Sequence, residues 1–279
     1  MLTGLRTFGL TALLLLVALP ARPSAWSDEQ TPFPGPPRSI GKPAAGCLAG
    51  AESLPFDGPG YQVIRISRDR YFGNPETVTF IEDLGRKAKA AGLEDFYVGD
   101  MSLPRGGPMP NGHASHETGL DVDIWDNLDP KPMLLPQDRE NVPLPSVLAA
   151  SGKSLDPARF STRLVTLLRL AATDPRVDRI FVNPVIKRAL CQGAFGAAVG
   201  ERSWLHRLRP WYGHDEHFHV RLACPEASPD CVAQPPVPAG EGCDSSLAWW
   251  FQPRQPQPEA AASPRRPILP AACQRLIQR

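Results

Sequence analysis

Two short runs of the chain alternate strictly between apolar and polar positions. In "LDVDIW", Leu120 to Trp125, Val122 and Ile124 fall on one side of an extended backbone and Asp121 and Asp123 on the other. In "HFHVRL", His217 to Leu222, Phe218 and Val220 oppose His217 and His219 in the same way. Each reads as a strand that buries its apolar face and presents paired carboxylates or imidazoles on the other. A third alternating segment, "YQVIRISRDRYFG" from Tyr61, is also expected to be a strand. Helical period appears in "NPETVTFIEDLGRKAKAAG", where Asn74 is placed as N-cap and Pro75 at the first helical position. Val78, Ile81, Leu84 and Ala88 then share one face, and Gly92 closes the segment. "DPARFSTRLVTLLRLAATD" predicts a second helix, with Asp156 as cap, Pro157 behind it, and Phe160, Leu164, Leu167, Leu168 and Ala171 as the buried stripe. "DRIFVNP" follows as a short strand and "VIKRALC" as a brief helix.

Between these elements the chain loses its period. Residues 26–43 are rich in proline and polar residues and suggest an extended lead-in, with order beginning near Cys47. Asp126 to Lys153 is loop-like and proline-rich, and loops of that length in compact domains are often functional. A second proline-rich stretch runs from about residue 233 to the end, and there is no internal repeat.

The first 25 residues change the setting. Arg6, a largely apolar run from Phe8 to Leu19, and small residues at Ala21 and Ala25 read as a secretory signal peptide. That run falls short of the roughly 20 apolar residues needed to cross a bilayer. Its removal leaves about 255 residues, enough for one large domain. A net charge of +1 gives no electrostatic case for nucleic acid or an anionic membrane surface. Six cysteines, Cys47, Cys191, Cys224, Cys231, Cys243 and Cys273, form no CxxC pair. In an exported chain they read as disulfides rather than as thiolate zinc ligands, and their spacing leaves the pairing open.

The two alternating runs sit inside the densest polar stretches, "GHASHETGLDVDIWD" and "WYGHDEHFHVRLACP". Five of the six histidines, His113, His116, His214, His217 and His219, fall there, while His206 stands apart and reads as an ordinary surface or core residue. Imidazole and carboxylate oxygen are the ligands zinc takes in hydrolytic sites, where three protein ligands leave one position open. The pattern is not the helical HExxH type, because Leu120 stands where the second histidine would be and Gly119 disfavours a helix. Two such strands side by side would form one metal site.

"SHETGLDVDIW" with "GHDEHFHVRLACP" resembles the penicillin-insensitive murein endopeptidases, zinc peptidases that share an HxxxxxxD plus HxH pattern with D-alanyl-D-alanine carboxypeptidases and lysostaphin-type peptidases. "GCLAGAESLPFDGPGYQVIRISRDRYFGNPETVTFIEDL" resembles them too, so the likeness extends from about Ile40 to Cys231 and more loosely to Cys273. The resemblance implies an α+β fold: a central antiparallel sheet carrying the zinc site, flanking helices, long loops and three disulfides, in a single domain over residues 44–279. It implies His116, Asp123 and His219 as zinc ligands, His217 as the catalytic histidine, His113 and His214 at the rim, and Asp121 close by. It pairs Cys47 with Cys273, Cys191 with Cys243 and Cys224 with Cys231. The implied substrate is the amide between D-alanine and meso-diaminopimelate in the cross-links of peptidoglycan, cut in the periplasm. With no serine nucleophile needed, indifference to penicillin follows. A carboxypeptidase or amidase acting on a neighbouring bond, or a wall-binding module without turnover, are the other readings, and the oligomeric state is open.

Overall fold

A computed structural model describes residues 24–197, 199–253 and 268–278. Nearly all of the expected signal segment, and residues 254–267 of the proline-rich stretch, lie outside these. The described strands are β1 (Arg38–Lys42), β2 (Ala45–Ala49), β3 (Glu52–Ser53), β4 (Asp57–Gly58), β5 (Tyr61–Val63), β6 (Phe72–Gly73), β7 (Phe96–Val98), β8 (Asp121–Trp125), β9 (Val177–Val182), β10 (Leu208–Pro210) and β11 (His217–Leu222). The helices are α1 (Ser24–Ser27), α2 (Pro75–Ala90), α3 (Thr162–Ala172), α4 (Pro184–Cys191), α5 (Ser245–Ala248) and α6 (Ala271–Ile277). None is long and apolar enough to cross a membrane, among the described residues.

Seven strands form the main sheet in the order β10-β9-β11-β8-β7-β5-β4. The fold is α+β as expected, and the sheet is mixed. Around the site β11 runs antiparallel to β8 and β9, and β8 antiparallel to β7, while the outer pairs β5-β7 and β10-β9 are parallel. One face of this sheet is the core. Val122, Ile124, Phe218, Val220 and Ile180 meet the stripes of α2 and α3, including Ile81, Leu84, Leu164 and Leu168. Burying each such side chain stabilises the fold by about 1.5 to 3 kcal/mol. The opposite face is divided. Toward β5 it is covered by the loop after Asp126, where Leu134, Val142 and Leu144 pack on Ile64, Tyr97 and Trp125. The middle strands are left for the polar site.

Helix α2 forms as its sequence predicts, with the Asn74 side chain accepting from the Glu76 N–H and Pro75 at the first position. Helix α3 begins later than expected. Asp156 caps a turn instead, its side chain accepting from the Ala158 N–H and its carbonyl from the Phe160 N–H, and the helix starts after Ser161. An Asp-Pro pair supports a turn as well as a helix start, and here it drops Phe160 into the core ahead of the helix. The strand expected from Tyr61 is also shorter. It ends at Val63, and a 3-10 turn over Ile66–Arg68 follows, flanked by Arg65 and Asp69 in the left-handed region. The Arg65 N–H donates to the Arg139 carbonyl and its guanidinium lies 4.5 Å over Trp125. Tertiary contacts override the alternation there.

Order starts well before Cys47. Trp26 is fully buried in a second, smaller core with Ile40, Leu103, Met109 and Leu276. A Cβ on Gly107 would lie 2.1 Å from the Trp26 ring, so the indole packs directly on backbone. Strands β1 and β2 pair as a hairpin turning at Pro43–Ala44. The disulfides Cys47–Cys273, Cys191–Cys243 and Cys224–Cys231 match the pairing implied by the resemblance. The first ties α6 to β2 and the second ties the segment before α5 to the end of α4.

Candidate metal centre

The site grows from the pairing of β8 with β11. Their register sets His219 opposite Asp123, Arg221 opposite Asp121 and His217 opposite Trp125, all on the face away from the core. On the other side of β11, Phe181 of β9 stands opposite His219. His113 and His116 arrive from the loop before β8. That loop is pinned at Gly119, whose carbonyl accepts from the Asn74 N–H and the Thr77 hydroxyl. Gly119 has φ +71°, and a Cβ there would meet Leu48 at 2.4 Å, so only glycine fits. His116 also takes the left-handed region, φ 71°. A non-glycine residue there costs of order 1 kcal/mol or more, and the His116 N–H is held at 3.1 Å from Asp121 Oδ2.

Four imidazoles surround the buried Asp123 carboxylate. His219 Nδ1 lies 3.1 Å from Oδ1, His116 Nε2 3.5 Å and His217 Nε2 3.7 Å from the same oxygen, and His113 Nδ1 lies 3.5 Å from Oδ2. Two of these rings are backed by further carboxylates. His219 Nε2 donates to Asp121 Oδ1 at 2.8 Å, and Arg221 Nε donates to the same oxygen at 2.6 Å. His113 Nε2 donates to Asp100 Oδ2 at 2.9 Å, and Arg70 holds that oxygen at 2.7 Å. With the far nitrogen donating, the near nitrogen of each ring turns its lone pair toward Asp123. In the neutral rings, such lone pairs beside a carboxylate make a donor set that a metal ion can take.

Hydrogen-bond satisfaction gives the same answer. His116 is wholly buried with neither ring nitrogen hydrogen-bonded, and Asp123 Oδ1 and His217 Nδ1 also lack partners. Buried polar atoms are nearly always satisfied, and a metal ion is the partner that imidazole and carboxylate share. His113, His116 and Asp123 offer ligand atoms all within 4.8 Å of one another, so these residues form a candidate metal-binding group. His113, expected at the rim, therefore stands within the cluster.

Charge follows the same geometry. Burial alone would raise the Asp123 carboxyl, but His116 and His217 overcome it and hold the group well below the usual carboxylate range. Burial opposes ionisation of Asp100 as well, and His113 and Arg70 bring it down to about 2. Burial lowers His217, and it lowers His214 to about 4 with help from His217, so both rings are neutral near pH 7. His219 moves upward because Asp121 and Asp123 outweigh the cost of its burial.

The cluster opens into a cleft of about 810 Å³ whose lining includes His113, Phe181, Trp211, His214, His217 and His219. His113, His214, His217 and His219 line this cleft, His116, Asp121 and Asp123 lie behind them in contact with His219, and His206 lies elsewhere, against the Gly240 carbonyl. Glu117 of the first polar run serves the backbone instead, accepting from the Gly46 N–H. Asp100 and Arg70 were not anticipated. A single Asp after the short strand "FYV" carries no distinguishing spacing, and only the folded chain brings it behind His113.

Comparison with known proteins bears on the same residues. The family described as penicillin-insensitive murein endopeptidase matches residues 39–278 of this chain. A protein of that name from Haemophilus influenzae is 43% identical over 92% of this chain and 89% of its own. Relatives of the same name from Pectobacterium atrosepticum (41% identical, 100% and 97%) and Yersinia enterocolitica (43%, 96% and 95%) are similar over nearly the whole length of both chains.

Proposed function

Because this chain belongs to the penicillin-insensitive murein endopeptidase family, we propose that it is a periplasmic zinc peptidase that hydrolyses the amide between D-alanine and meso-diaminopimelate in peptidoglycan cross-links. One observation carries the metal assignment: the wholly buried His116 imidazole has two unpartnered nitrogens beside the unpartnered Oδ1 of Asp123, directly behind His113 and His219, which line an open cleft. His116, Asp123 and His219 are the proposed zinc ligands. Asp121 fixes the tautomer that frees His219 Nδ1 for that role, and Asp100 does the same for His113, which stands as a further imidazole on the exposed side of the group. Zinc bound there supplies Lewis acidity toward an amide carbonyl and brings the ionisation of water near neutral pH.

The chain's own residues handle the protons. His217 is unprotonated near pH 7 and lies on the ligand face two residues from His219, so its Nε2 is placed to take a proton from the attacking water and return it to the leaving amine. Neutral His214 donates from Nδ1 to the Tyr212 carbonyl at 3.0 Å, which leaves Nε2 as an acceptor toward the cleft. The test is mass spectrometry of the products released from a defined cross-linked muropeptide, with and without a chelator. Release of monomers with a new D-alanine carboxyl terminus, abolished by the chelator and restored by zinc, is expected. Loss of only a terminal D-alanine would make the protein a carboxypeptidase, and chelator-resistant cleavage would remove zinc from the reading.

A further inference from the structure

Beyond the cleft, large apolar side chains are exposed where one row of aromatic rings meets the site. Trp211 is 54% exposed and Trp249 59%, with Tyr212 and Phe251 also exposed and Trp250 partly so. Three of the rings meet on the fourth, Trp250. Trp211 and Trp250 have centroids 5.9 Å apart, Tyr212 and Trp250 4.8 Å, and Trp249 and Trp250 5.1 Å. Trp211 and Tyr212 also line the cleft, so the row is continuous with the metal-binding group. A contiguous exposed apolar patch on a folded chain marks an interaction surface.

The row is also held firmly. Trp249–Phe251 form a 3-10 turn directly after α5, which is capped by the Asp244 side chain and anchored by buried Leu247. The preceding Cys243 is bonded to Cys191 at the end of α4. The Arg188 guanidinium sits 3.8 Å over the Phe251 ring while donating to the Lys153 carbonyl, which fixes that ring from one side. Fixed rings lose little conformational freedom on binding. None of these five residues belongs to the buried cores, and they pack chiefly on one another.

We propose that Trp211, Tyr212, Trp249, Trp250 and Phe251 form a shelf that binds the glycan strand of peptidoglycan, the polymer of N-acetylated amino sugars from which the cross-linked peptides branch. This rests on the murein reading above. Pyranose rings carry C–H bonds on their faces, and these bear the partial positive charge that the negative π-face of an aromatic ring attracts. The sugar hydroxyl and acetamido groups need polar neighbours at the edge of such a surface, and exposed Ser245, Ser246 and Gln252 supply them. The peptide entering the cleft is covalently joined to the glycan, so a surface that continues the cleft wall meets the sugars of the same substrate molecule. The shelf thus gives the enzyme a grip on the polymer in addition to its grip on the amide.

The test uses the full mature chain with its disulfides intact and the double variant Trp249→Ala/Phe251→Ala, with Trp249→Phe as the conservative control. Two readouts are taken: binding to glycan strands stripped of peptide, and kcat/KM on intact sacculi relative to a sugar-free cross-linked peptide. The wild type is expected to bind stripped glycan, the double variant to bind it about tenfold more weakly, and Trp249→Phe to retain most of the affinity. The ratio of sacculus to free-peptide turnover should fall in parallel. Equal thermal midpoints and equal metal content in all three proteins establish that the variants fold. Absence of glycan binding by the wild type, or binding by the double variant within twofold of it, overturns the shelf. Failure of the murein reading shows differently, as absence of peptide cleavage in either substrate whatever the glycan result.

Discussion

Around Asp123 one carboxylate faces four imidazoles, and the roles of those rings differ by what stands behind them. His219 is backed by Asp121 and turns its free nitrogen inward, whereas the Nδ1 of His217 has no partner and the ring is held neutral by burial. The two histidines share a strand face yet separate on substitution. His219→Ala should lose bound zinc while the disulfide-tied fold persists, read by metal analysis and circular dichroism. A variant that keeps stoichiometric zinc and activity would remove His219 from the ligand set. His217→Ala should keep its zinc and lose roughly 10²- to 10⁴-fold in hydrolysis, the range for a lost general acid or base. Zinc content and cross-link cleavage measured on one preparation decide it, since metal lost with activity would make His217 a ligand. Asp100 and Arg70 act one contact further out, and no spacing in the sequence announces them.

The element most specific to the site's surroundings is the loop after Asp126, which is not free-standing. Buried Arg139 donates to the carbonyls of Phe56, Val63 and Leu134 and forms an ion pair with Asp57, so one side chain ties the loop to β4 and β5. Arg139→Ala removes a donor from each of those carbonyls, of which that of Phe56 keeps the Val63 N–H, and a buried group left unsatisfied costs about 1 to 3 kcal/mol. The expected result is a lower urea midpoint, with hydrogen exchange accelerated first in residues 132–144 and only later in α2 and α3. Uniform acceleration across the chain would mean that the loop is not a separate unit of stability. The sequence marks this segment as long and proline-rich, but its role as a cover depends on Ile64 and Tyr97, which are distant along the chain, as well as on nearby Trp125. Conversely, α2 was legible to its cap, because an N-cap, a proline and an apolar stripe are all local signals.

At the scale of the molecule, two of the contacts that fasten the C-terminal stretch lie near α4. One is Cys191–Cys243, and the other is buried Lys187, whose Nζ donates to the carbonyls of Leu205 (2.7 Å) and Glu241 (2.5 Å). Burial, reinforced by Arg209, lowers Lys187 from 10.5 to about 7, and a neutral amine still has enough N–H groups for both carbonyls. Between pH 7 and 10.5 the unfolded chain therefore holds a proton that the folded chain has released. Stability from this residue should rise with pH across that window, at up to about 1.4 kcal/mol per pH unit, and level off below pH 7. Unfolding by denaturant at several pH values, for wild type and Lys187→Met, isolates the effect as a difference in slope. Parallel curves would place Lys187 in its charged form.

What the sequence determined alone is what depends on neighbours along the chain. The period-two alternation put Asp121 with Asp123 and His217 with His219 on single strand faces, cap and stripe together fixed α2, and the stripe alone fixed the buried face of α3, whose start lies after Ser161 and not at Asp156. The resemblance to a known family supplied the disulfide pairing. Tertiary structure decided which strands meet and in what register: His219 opposite Asp123 rather than Asp121, Asp100 behind His113, and Trp249–Phe251 beside Trp211. A strand's faces follow from its own backbone geometry, but a shift of one residue in pairing would send every side chain to the other face. Only the burial of Val122, Ile124, Phe218 and Val220 in the common core excludes that shift, and so builds the site.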